Sequence, residues 1–243
     1  REHELDRRHI EQPALLEERD CRRLVDSLLP GRRRPRANTD PIGPYLEALG
    51  TVRLGLTDPA EVEAGRDDVD GLAELFDRYR DQLAQRGGVD FDDQVYGAVE
   101  ALLADGELRR RLQQRCRHLL VDEFQDLTPA HVLLIRLLAL PGLDVFGVGD
   151  DDQVIYGHVA AAPAFLIHYD RLFPGAGDHP LTVNYRCPVE VVSGARHLLG
   201  YNHRRVAKEI HPGPDADPTP GALKVVEHGP DDAARATVEV VRG

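Results

Sequence analysis

With 243 residues, of which 42% are apolar, the chain is long enough for one large domain, or one and a half typical ones, with a packed core. Its net charge of −12 argues against a protein that coats nucleic acid with a uniformly basic surface, and no apolar run approaches the ~20 residues of a membrane span. The three cysteines form no CxxC pair and the start of the chain does not resemble a signal peptide, so we expect a cytoplasmic protein without a zinc site or disulfide framework.

The first part of the chain predicts helices. Residues 1–40 are rich in charge and predict a helical stretch, which the basic run at 31–36 interrupts as a solvated loop or as a contact for a phosphate backbone. Asp58 and Pro59 predict the N-cap and first position of a helix. A further helix, ended by Gly87-Gly88, is predicted from five apolar residues at helical spacing: Leu72, Leu75, Phe76, Tyr79 and Leu83.

Two more helices are predicted before the sequence changes character. Asp90 is expected to cap the first of them, which runs to about Ala104, and the other is expected from about Gly106 to Arg115. We interpret the acidic segment that contains Asp90, at 89–93, as helix capping plus packing and not as catalytic.

From residue 118 onward, strands alternate with helices. Thr128-Pro129 is expected to cap a helix with an apolar face of four leucines. This alternation implies a parallel sheet covered by helices on both faces. Strands are predicted at 118–121 (buried), 144–148, 181–183 and 222–227, helices after Thr128 and at 163–173, 188–199 and 231–241, and a proline-rich linker at 211–221.

The most informative segment is the octapeptide at 119–126, Leu-Leu-Val-Asp-Glu-Phe-Gln-Asp. Its apolar run ends in Asp122 and Glu123, and ligands of parallel α/β sheets bind at the carboxyl ends of strands. One carboxylate there can hold Mg²⁺, usually through water, and its neighbour can accept a proton from an attacking water molecule. The alternative interpretation is a solvated Asp-Glu pair after a strand.

Two later motifs can act on the same kind of substrate. Val148–Gly157 contains Gln153, whose amide can bond a γ-phosphate oxygen and lose that partner on hydrolysis; the alternative is an acidic turn. Asn184-Tyr185-Arg186 follows a strand-like run, and a guanidinium can stabilise charge on a transferring phosphoryl group. For Arg186 the alternative is a surface ion pair.

In order, spacing and residue choice, these motifs resemble the UvrD/Rep/PcrA family of superfamily 1 DNA helicases. The resemblance implies an α/β fold, namely a RecA-like parallel sheet with flanking helices (a truncated P-loop NTPase fold), plus a helical insertion subdomain. It divides the chain into the helical insertion subdomain at 1–88, the second half of the first motor domain at 89–176 and the start of the second motor domain at 177–243.

The resemblance also implies roles for individual residues. The cofactors that it implies are ATP and Mg²⁺. The partners that it implies are single-stranded or duplex-junction DNA and repair or recombination proteins, with no membrane. Asp122 and Glu123 would hold the metal, Glu123 would be the base, Gln153 the γ-phosphate sensor and Arg186 the catalytic arginine. The nucleotide would be contacted by Tyr185, Gln125 and Asp126, and DNA by Tyr156 and His158.

The chain departs from the family pattern at Val154, where the family has a serine, and in two further places. It contains no Gly-Lys-Ser/Thr phosphate loop, and its only lysines are Lys208 and Lys224. His158-Val159 stands where the family has an aromatic residue and an arginine, and His158 can stack only weakly on a base. We therefore expect an internal fragment of an ATP-dependent 3′–5′ DNA helicase that hydrolyses no ATP alone. The alternatives are a non-catalytic helicase-like module that binds DNA or a partner, and the motor part of a helicase–nuclease.

Overall fold

The computed structural model describes residues 13–29, 40–153, 163–203, 205–206, 208–227, 229 and 232–242. Contacts within the chain divide it into two compact units, Arg1–Ala176 and Gly177–Gly243. None of the helices in these described ranges has the length and apolar composition that crossing a membrane requires. The predicted DNA contacts Tyr156 and His158, and the basic run at 31–36, lie outside the described residues.

The first unit is built mainly of helices whose ends follow from their capping residues. Asp58 accepts hydrogen bonds from the backbone of Ala60 and Glu61, and Asp90 accepts one from Asp93, as the sequence predicts. The helices are α1 (Glu18–Leu28), α2 (Gly43–Gly55), α3 (Pro59–Ala64), α4 (Leu72–Gln85), α5 (Phe91–Ala104), α6 (Gly106–Arg115), α7 (Pro129–Ala139), α8 (Ala164–Ile167) and α9 (Tyr169–Leu172).

The larger core cluster of this unit lies among α1 to α4, and a smaller one lies among α5, α6 and α7. The five apolar residues that predict α4 are all buried, and Tyr79 is completely so. The prediction of a helical stretch over 1–40 is confirmed for α1, which buries one face against α2 and α4. The predicted helix at 163–173 is interrupted at His168, where the backbone leaves the helical region, and becomes the two single turns α8 and α9.

A buried ion pair joins α2 to the start of α5. The Arg53 side chain is only 3% exposed, and its Nη1 lies 2.7 Å from both carboxylate oxygens of Asp90. Its Nη2 donates to Asp92 at 3.1 Å, and the Tyr79 hydroxyl donates to Asp90 at 2.6 Å. Capping by Asp90 is therefore confirmed. The predicted packing of this segment is confirmed for Val89 and Asp93, which are buried, but not for the Phe91 ring, which is 63% exposed.

Two pairs of parallel strands lie in the part of this unit that the structure describes. β1 (Ala14–Leu15) pairs with β2 (Gly88–Val89), and β3 (Leu119–Val121) pairs with β4 (Val145–Gly147) in the register Leu120↔Phe146. The sequence predicts β3 and β4 as strands of a parallel sheet, and this is confirmed. The prediction that β3 is buried in a sheet with helices on both faces is wrong. Leu120 is 80% exposed and Phe146 is 55% exposed, because these register partners share a face that no described residue covers.

The described residues of the second unit form one parallel strand pair and two helices. β5 (Val183–Asn184) pairs with β6 (His211–Pro212), and the helices are α10 (Val189–Leu199) and α11 (Ala233–Arg242). β5 begins two residues later than predicted, and the proline-rich linker opens with the two residues of β6. The strand predicted at 222–227 is wrong, since these residues pair with no strand in the described part of the unit and remain irregular.

Candidate active site

The site is built where β3 and β4 end side by side. The backbone N–H of Val148 donates to the carbonyl of Val121 at 2.8 Å, and the N–H of Phe124 donates to the carbonyl of Val148 at 2.8 Å. These bonds hold the turn after β3 against the loop after β4. The polar segments at 122–126 and 148–153 therefore share one edge of the strand pair, where ligands of parallel sheets bind.

Asp122 and Glu123 form an exposed pair of carboxylates at this edge. The backbone N–H of Glu123 donates to Asp122 Oδ1 at 2.9 Å, which ties the first carboxylate to the turn. Glu123 itself has φ 51° and ψ 45°, a left-handed conformation that residues other than glycine seldom adopt. Such strain clusters at functional sites and persists only where the surroundings enforce it.

Buried aromatic residues and a glycine of β4 surround this turn and enforce its conformation. Phe124 is fully buried, and its ring packs edge-on against Tyr169 at a centroid distance of 5.0 Å. A Cβ on Gly147 would lie 2.8 Å from both of these rings, so β4 must end in a residue without a side chain. The aromatic residues thus form a rigid base on which the Asp-Glu turn rests.

Gln125 is buried at 2% exposure, and both ends of its amide are hydrogen-bonded to protein. Its Nε2 donates to Glu123 Oε2 at 2.6 Å, and its Oε1 accepts from the backbone N–H of Asp150 at 2.9 Å. The sequence suggests Gln125 as a contact of the nucleotide and does not indicate these contacts within the protein. Both hydrogen-bonding groups of the side chain serve the protein itself.

Gln153 lies in the loop after β4, in a single 3₁₀ turn at Asp151–Gln153. Its side chain is exposed, and its Nε2 donates to Asp150 Oδ2 at 2.8 Å. Carboxylate oxygens of Asp150, Asp151 and Asp152 lie within 4.8 Å of one another. The amide that the sequence suggests as a γ-phosphate sensor is thus paired with the carboxylate of Asp150.

The oxygens at this edge suit a magnesium ion. Mg²⁺ prefers carboxylate and water oxygens, and Asp122 and Glu123 offer exposed carboxylates at the strand end. On the same turn, Asp126 Oδ1 is buried and finds no hydrogen-bond donor among the described residues. Because a buried carboxylate oxygen normally has a partner, this one is suited to a bound water or cation. The residues present therefore fit the metal that the motif implies.

Tyr185 and Arg186 belong to the second unit, directly after β5. The side-chain oxygen of Asn184 accepts from the backbone N–H groups of Arg186 at 2.9 Å and Cys187 at 2.8 Å, which fixes a tight turn. The Tyr185 side chain is 80% exposed and Arg186 is also exposed. The turn thus presents both side chains outward from the carboxyl end of a parallel strand, in a position open to a ligand.

The structure brings most predicted site residues of the first unit to one edge: Asp122, Glu123, Gln125, Asp126 and Gln153. Sequence reasoning missed two features there, the burial of Gln125 and the part that Asp150 plays between Gln125 and Gln153. One signal was available in the sequence. Gly149 follows a strand at a point where a Cβ would lie 2.6 Å from Gln125 Oε1, and glycine in a strand pattern indicates a close approach.

Comparison with known proteins gives a consistent result. The family defined as the UvrD/REP helicase N-terminal domain matches residues 12–174. The chain is 33% identical over 141 residues to YjcD of Bacillus subtilis, which covers 58% of the chain and 19% of that protein. It is 30% identical over 139 residues to the ATP-dependent DNA helicase PcrA of Leuconostoc citreum, covering 57% of the chain and 19% of that protein.

A longer match is found with the ATP-dependent DNA helicase UvrD2 of Mycobacterium bovis. The identity is 30% over 219 residues, which cover 85% of the chain and 31% of that protein. The chain therefore spans between about a fifth and a third of the length of these curated relatives. The matched region includes both the Asp-Glu turn and the loop that carries Gln153.

Proposed function

The chain belongs to the UvrD/REP helicase family, whose N-terminal domain has the P-loop NTPase fold, and from this premise we propose that it is part of an ATP-dependent DNA helicase. The relatives named PcrA and UvrD2 are ATP-dependent DNA helicases. One observation carries the proposal: Asp122, Glu123 and Gln153 stand on the edge where two parallel strands end, held by bonds between the two loops.

In this proposal the edge hydrolyses ATP. Asp122, with Glu123 beside it, would hold a magnesium ion, whose chemistry is to neutralise charge on phosphate oxygens. The Glu123 carboxylate accepts the proton of the attacking water, a step that general bases typically accelerate by ~10²–10⁴-fold. Gln153 leaves Asp150 to bond the γ-phosphate and returns when that phosphate departs. Asp126 would contribute its buried carboxylate oxygen to the nucleotide site, and Gln125 would contribute to the site by holding Glu123.

The second unit would supply groups from a second motor domain. Arg186 would stabilise charge on the phosphoryl group, and Tyr185 would pack near the nucleotide base. In this proposal residues 1–88 are a helical insertion subdomain, 89–176 the second half of the first RecA-like domain and 177–243 the start of the second. The contact between Arg53 and Asp90 then joins the insertion to the motor domain.

Hydrolysis would drive movement along DNA. We propose 3′–5′ travel on single-stranded or duplex-junction DNA, contacts to DNA by Tyr156 and His158, action in the cytoplasm and cooperation with repair or recombination proteins. The family resemblance supports these points. His158-Val159, in place of an aromatic residue and an arginine, favours a second candidate, a helicase-like module that binds DNA or a partner without hydrolysing ATP.

Phosphate release by the full-length protein tests the proposal. With ATP and magnesium, we expect turnover that single-stranded DNA stimulates, and none from the 243-residue chain alone, because it lacks the Gly-Lys-Ser/Thr loop. DNA binding without turnover in the full-length protein would favour the non-catalytic module. Turnover that DNA leaves unchanged would argue against a DNA motor.

A further inference from the structure

Gln125 stands between the two loops of the candidate active site. Its Nε2 lies 2.6 Å from Glu123 Oε2 and its Oε1 lies 2.9 Å from the backbone nitrogen of Asp150. The residues it bridges are 27 positions apart in the chain, one after β3 and one after β4. A single side chain thus connects the carboxylate of Glu123 to the backbone of the other loop.

The orientation of this amide follows from its partners. Glu123 offers a carboxylate, which only accepts hydrogen bonds, and Asp150 offers a backbone N–H, which only donates. The reversed amide would set its oxygen against the carboxylate and its NH₂ group against the N–H, with two repulsive contacts in a buried place. The two hydrogen bonds therefore fix the side chain in one orientation.

Packing fixes the position of Gln125 as well as its orientation. The residue is only 2% exposed, and Gly149 has no room for a Cβ, which would lie 2.6 Å from Gln125 Oε1 and 3.1 Å from the nitrogen of Phe124. Neither loop can move away from the amide without leaving a buried polar group unpaired. A group left in that state costs about 1–3 kcal/mol. The amide of Gln125 therefore ties the two loops to each other.

The connection continues to the predicted sensor. Asp150, whose N–H is held by Gln125, accepts from Gln153 Nε2 through its side-chain Oδ2 at 2.8 Å. It also accepts from the backbone N–H of Asp152 through Oδ1 at 3.2 Å. A continuous path of contacts therefore runs from Glu123 through Gln125 and Asp150 to Gln153.

We propose that Gln125 is a positioning residue that holds the Glu123 carboxylate and couples it to the loop that carries Gln153. When Gln153 exchanges Asp150 for a phosphate oxygen, Asp150 shifts, and Gln125 passes this shift to Glu123. The base is thereby aligned only while a γ-phosphate is bound. This inference rests on the proposed function, since it assigns a control to the same hydrolytic site.

The first test replaces the amide in the full-length protein. Gln125→Met keeps the side-chain length and removes both hydrogen bonds, and Gln94→Met at an exposed position of α5 is the matched control. We expect kcat for DNA-stimulated ATP hydrolysis to fall about 10- to 100-fold in Gln125→Met, as small misplacements of catalytic groups do. The KM for ATP should stay within about threefold, because ground-state binding is retained. Gln94→Met should match the wild type.

A double-mutant cycle tests the coupling itself. Gln153→Ala and Gln125→Met should lower kcat together by no more than the larger single effect, because both interrupt one path. If Gln125→Met fails to fold, Asp150→Ala takes its place in the cycle, since it breaks the contact with Gln153 at a half-buried loop position. Single effects that multiply would overturn the coupling.

Hydrogen exchange tests the role of Gln125 independently of catalysis. Gln125→Met removes the acceptor of the Asp150 amide, so hydrogen exchange at that amide should become faster, while exchange in α4 stays unchanged. Unchanged exchange at Asp150, or a normal kcat in a folded Gln125→Met enzyme, overturns the inference and leaves the proposed function in place. A wild-type protein without DNA-stimulated turnover overturns both.

Discussion

Glu123 occupies a position where three local constraints meet. Its backbone is left-handed, its N–H is bonded to Asp122, and its carboxylate accepts from a buried amide. A merely solvated acidic turn needs none of these features, and a left-handed glutamate costs about 1–3 kcal/mol that a solvated turn would avoid. The geometry therefore favours a functional role for the Glu123 carboxylate over the alternative of a solvated Asp-Glu pair.

Replacement of Glu123 by glutamine tests that role. Glu123→Gln preserves size and removes the proton acceptor, so the full-length protein should keep its affinity for ATP and lose turnover by ~10²–10⁴-fold. Glu74→Gln, at an exposed glutamate of α4, serves as the control and should turn over normally. Phosphate release and nucleotide binding are measured on the same samples. Equal turnover in Glu123→Gln and wild type would remove Glu123 from the chemistry.

Arg186 makes a separate prediction at the same scale. Its exposed guanidinium follows β5 in the turn that Asn184 fixes, so Arg186→Ala removes charge without disturbing a core. Loss of one stabilising group typically costs about 10²–10³ in turnover, and we expect an effect of that order in the full-length protein. Arg196→Ala, at an exposed arginine of the same unit, is the control. Similar rates for the two variants would place Arg186 outside the site.

The sequence predicts the residue types of the site better than their roles. The apolar run before Asp122 and Glu123 was sufficient to predict a strand end with carboxylates. The burial of Gln125 could not be predicted, because it depends on the backbone of Asp150 in another loop. Spacing within one motif carries no information about a partner that lies 25 residues further along the chain.

At the scale of elements, the ion pair of Arg53 with Asp90 links α2, α4 and α5. Removal of one partner from a buried pair typically costs about 3–5 kcal/mol, because it leaves the other charge without its counterpart. Arg53→Met should lower the free energy of unfolding of the 243-residue chain by about that amount in urea denaturation. Arg78→Met, whose arginine is 46% exposed beside Glu74, should cost about 0.3–0.5 kcal/mol. Comparable losses would show that the buried pair contributes no special stability.

The same ion pair predicts how stability depends on pH. Burial acts to raise the pKa of Asp90, but the charge of Arg53 and hydrogen bonds from Arg53, Tyr79 and the Asp93 backbone outweigh it and lower that pKa. Since the unfolded value is about 3.9, the carboxylate contributes stability that is complete above about pH 4 and is lost as pH falls through the lower folded pKa.

Asp90→Asn isolates this contribution. Urea unfolding of both proteins between about pH 2 and pH 5 should show that the wild type loses more stability on acidification than Asp90→Asn. Burial raises the pKa of Asp92, which acts in the opposite direction in the wild type. Parallel curves for the two proteins would contradict the role given to Asp90.

Helices with a capping residue next to them in the sequence were predicted well, whereas the strand that depends on a distant partner was not. The capping residues Asp90 and Asp105 lie next to helices whose bounds match the prediction, at Phe91–Ala104 and Gly106–Arg115. Capping is a contact between neighbours in the chain, so the sequence contains it. The strand at 222–227 failed because a strand also requires a partner, which an alternating pattern cannot specify.

At the scale of the whole molecule, the two units repeat one arrangement. In each, two parallel strands are paired and a polar turn follows the first of them: Asp122 and Glu123 after β3, and Tyr185 and Arg186 after β5. Turns at the carboxyl ends of parallel strands are ligand sites. The proposal that two motor domains act on one nucleotide rests on this repetition and on membership of the helicase family.

Strand separation by the full-length protein tests the central claim most directly. A labelled duplex with a 3′ single-stranded tail is mixed with ATP and magnesium, and release of the labelled strand is followed for the wild type and for Glu123→Gln. We expect the wild type to separate this duplex, to leave a duplex with a 5′ tail intact, and to lose separation in Glu123→Gln while DNA binding remains. Separation by Glu123→Gln at the wild-type rate, or none by the wild type on either duplex, would contradict a DNA motor driven from the Asp122–Glu123 edge.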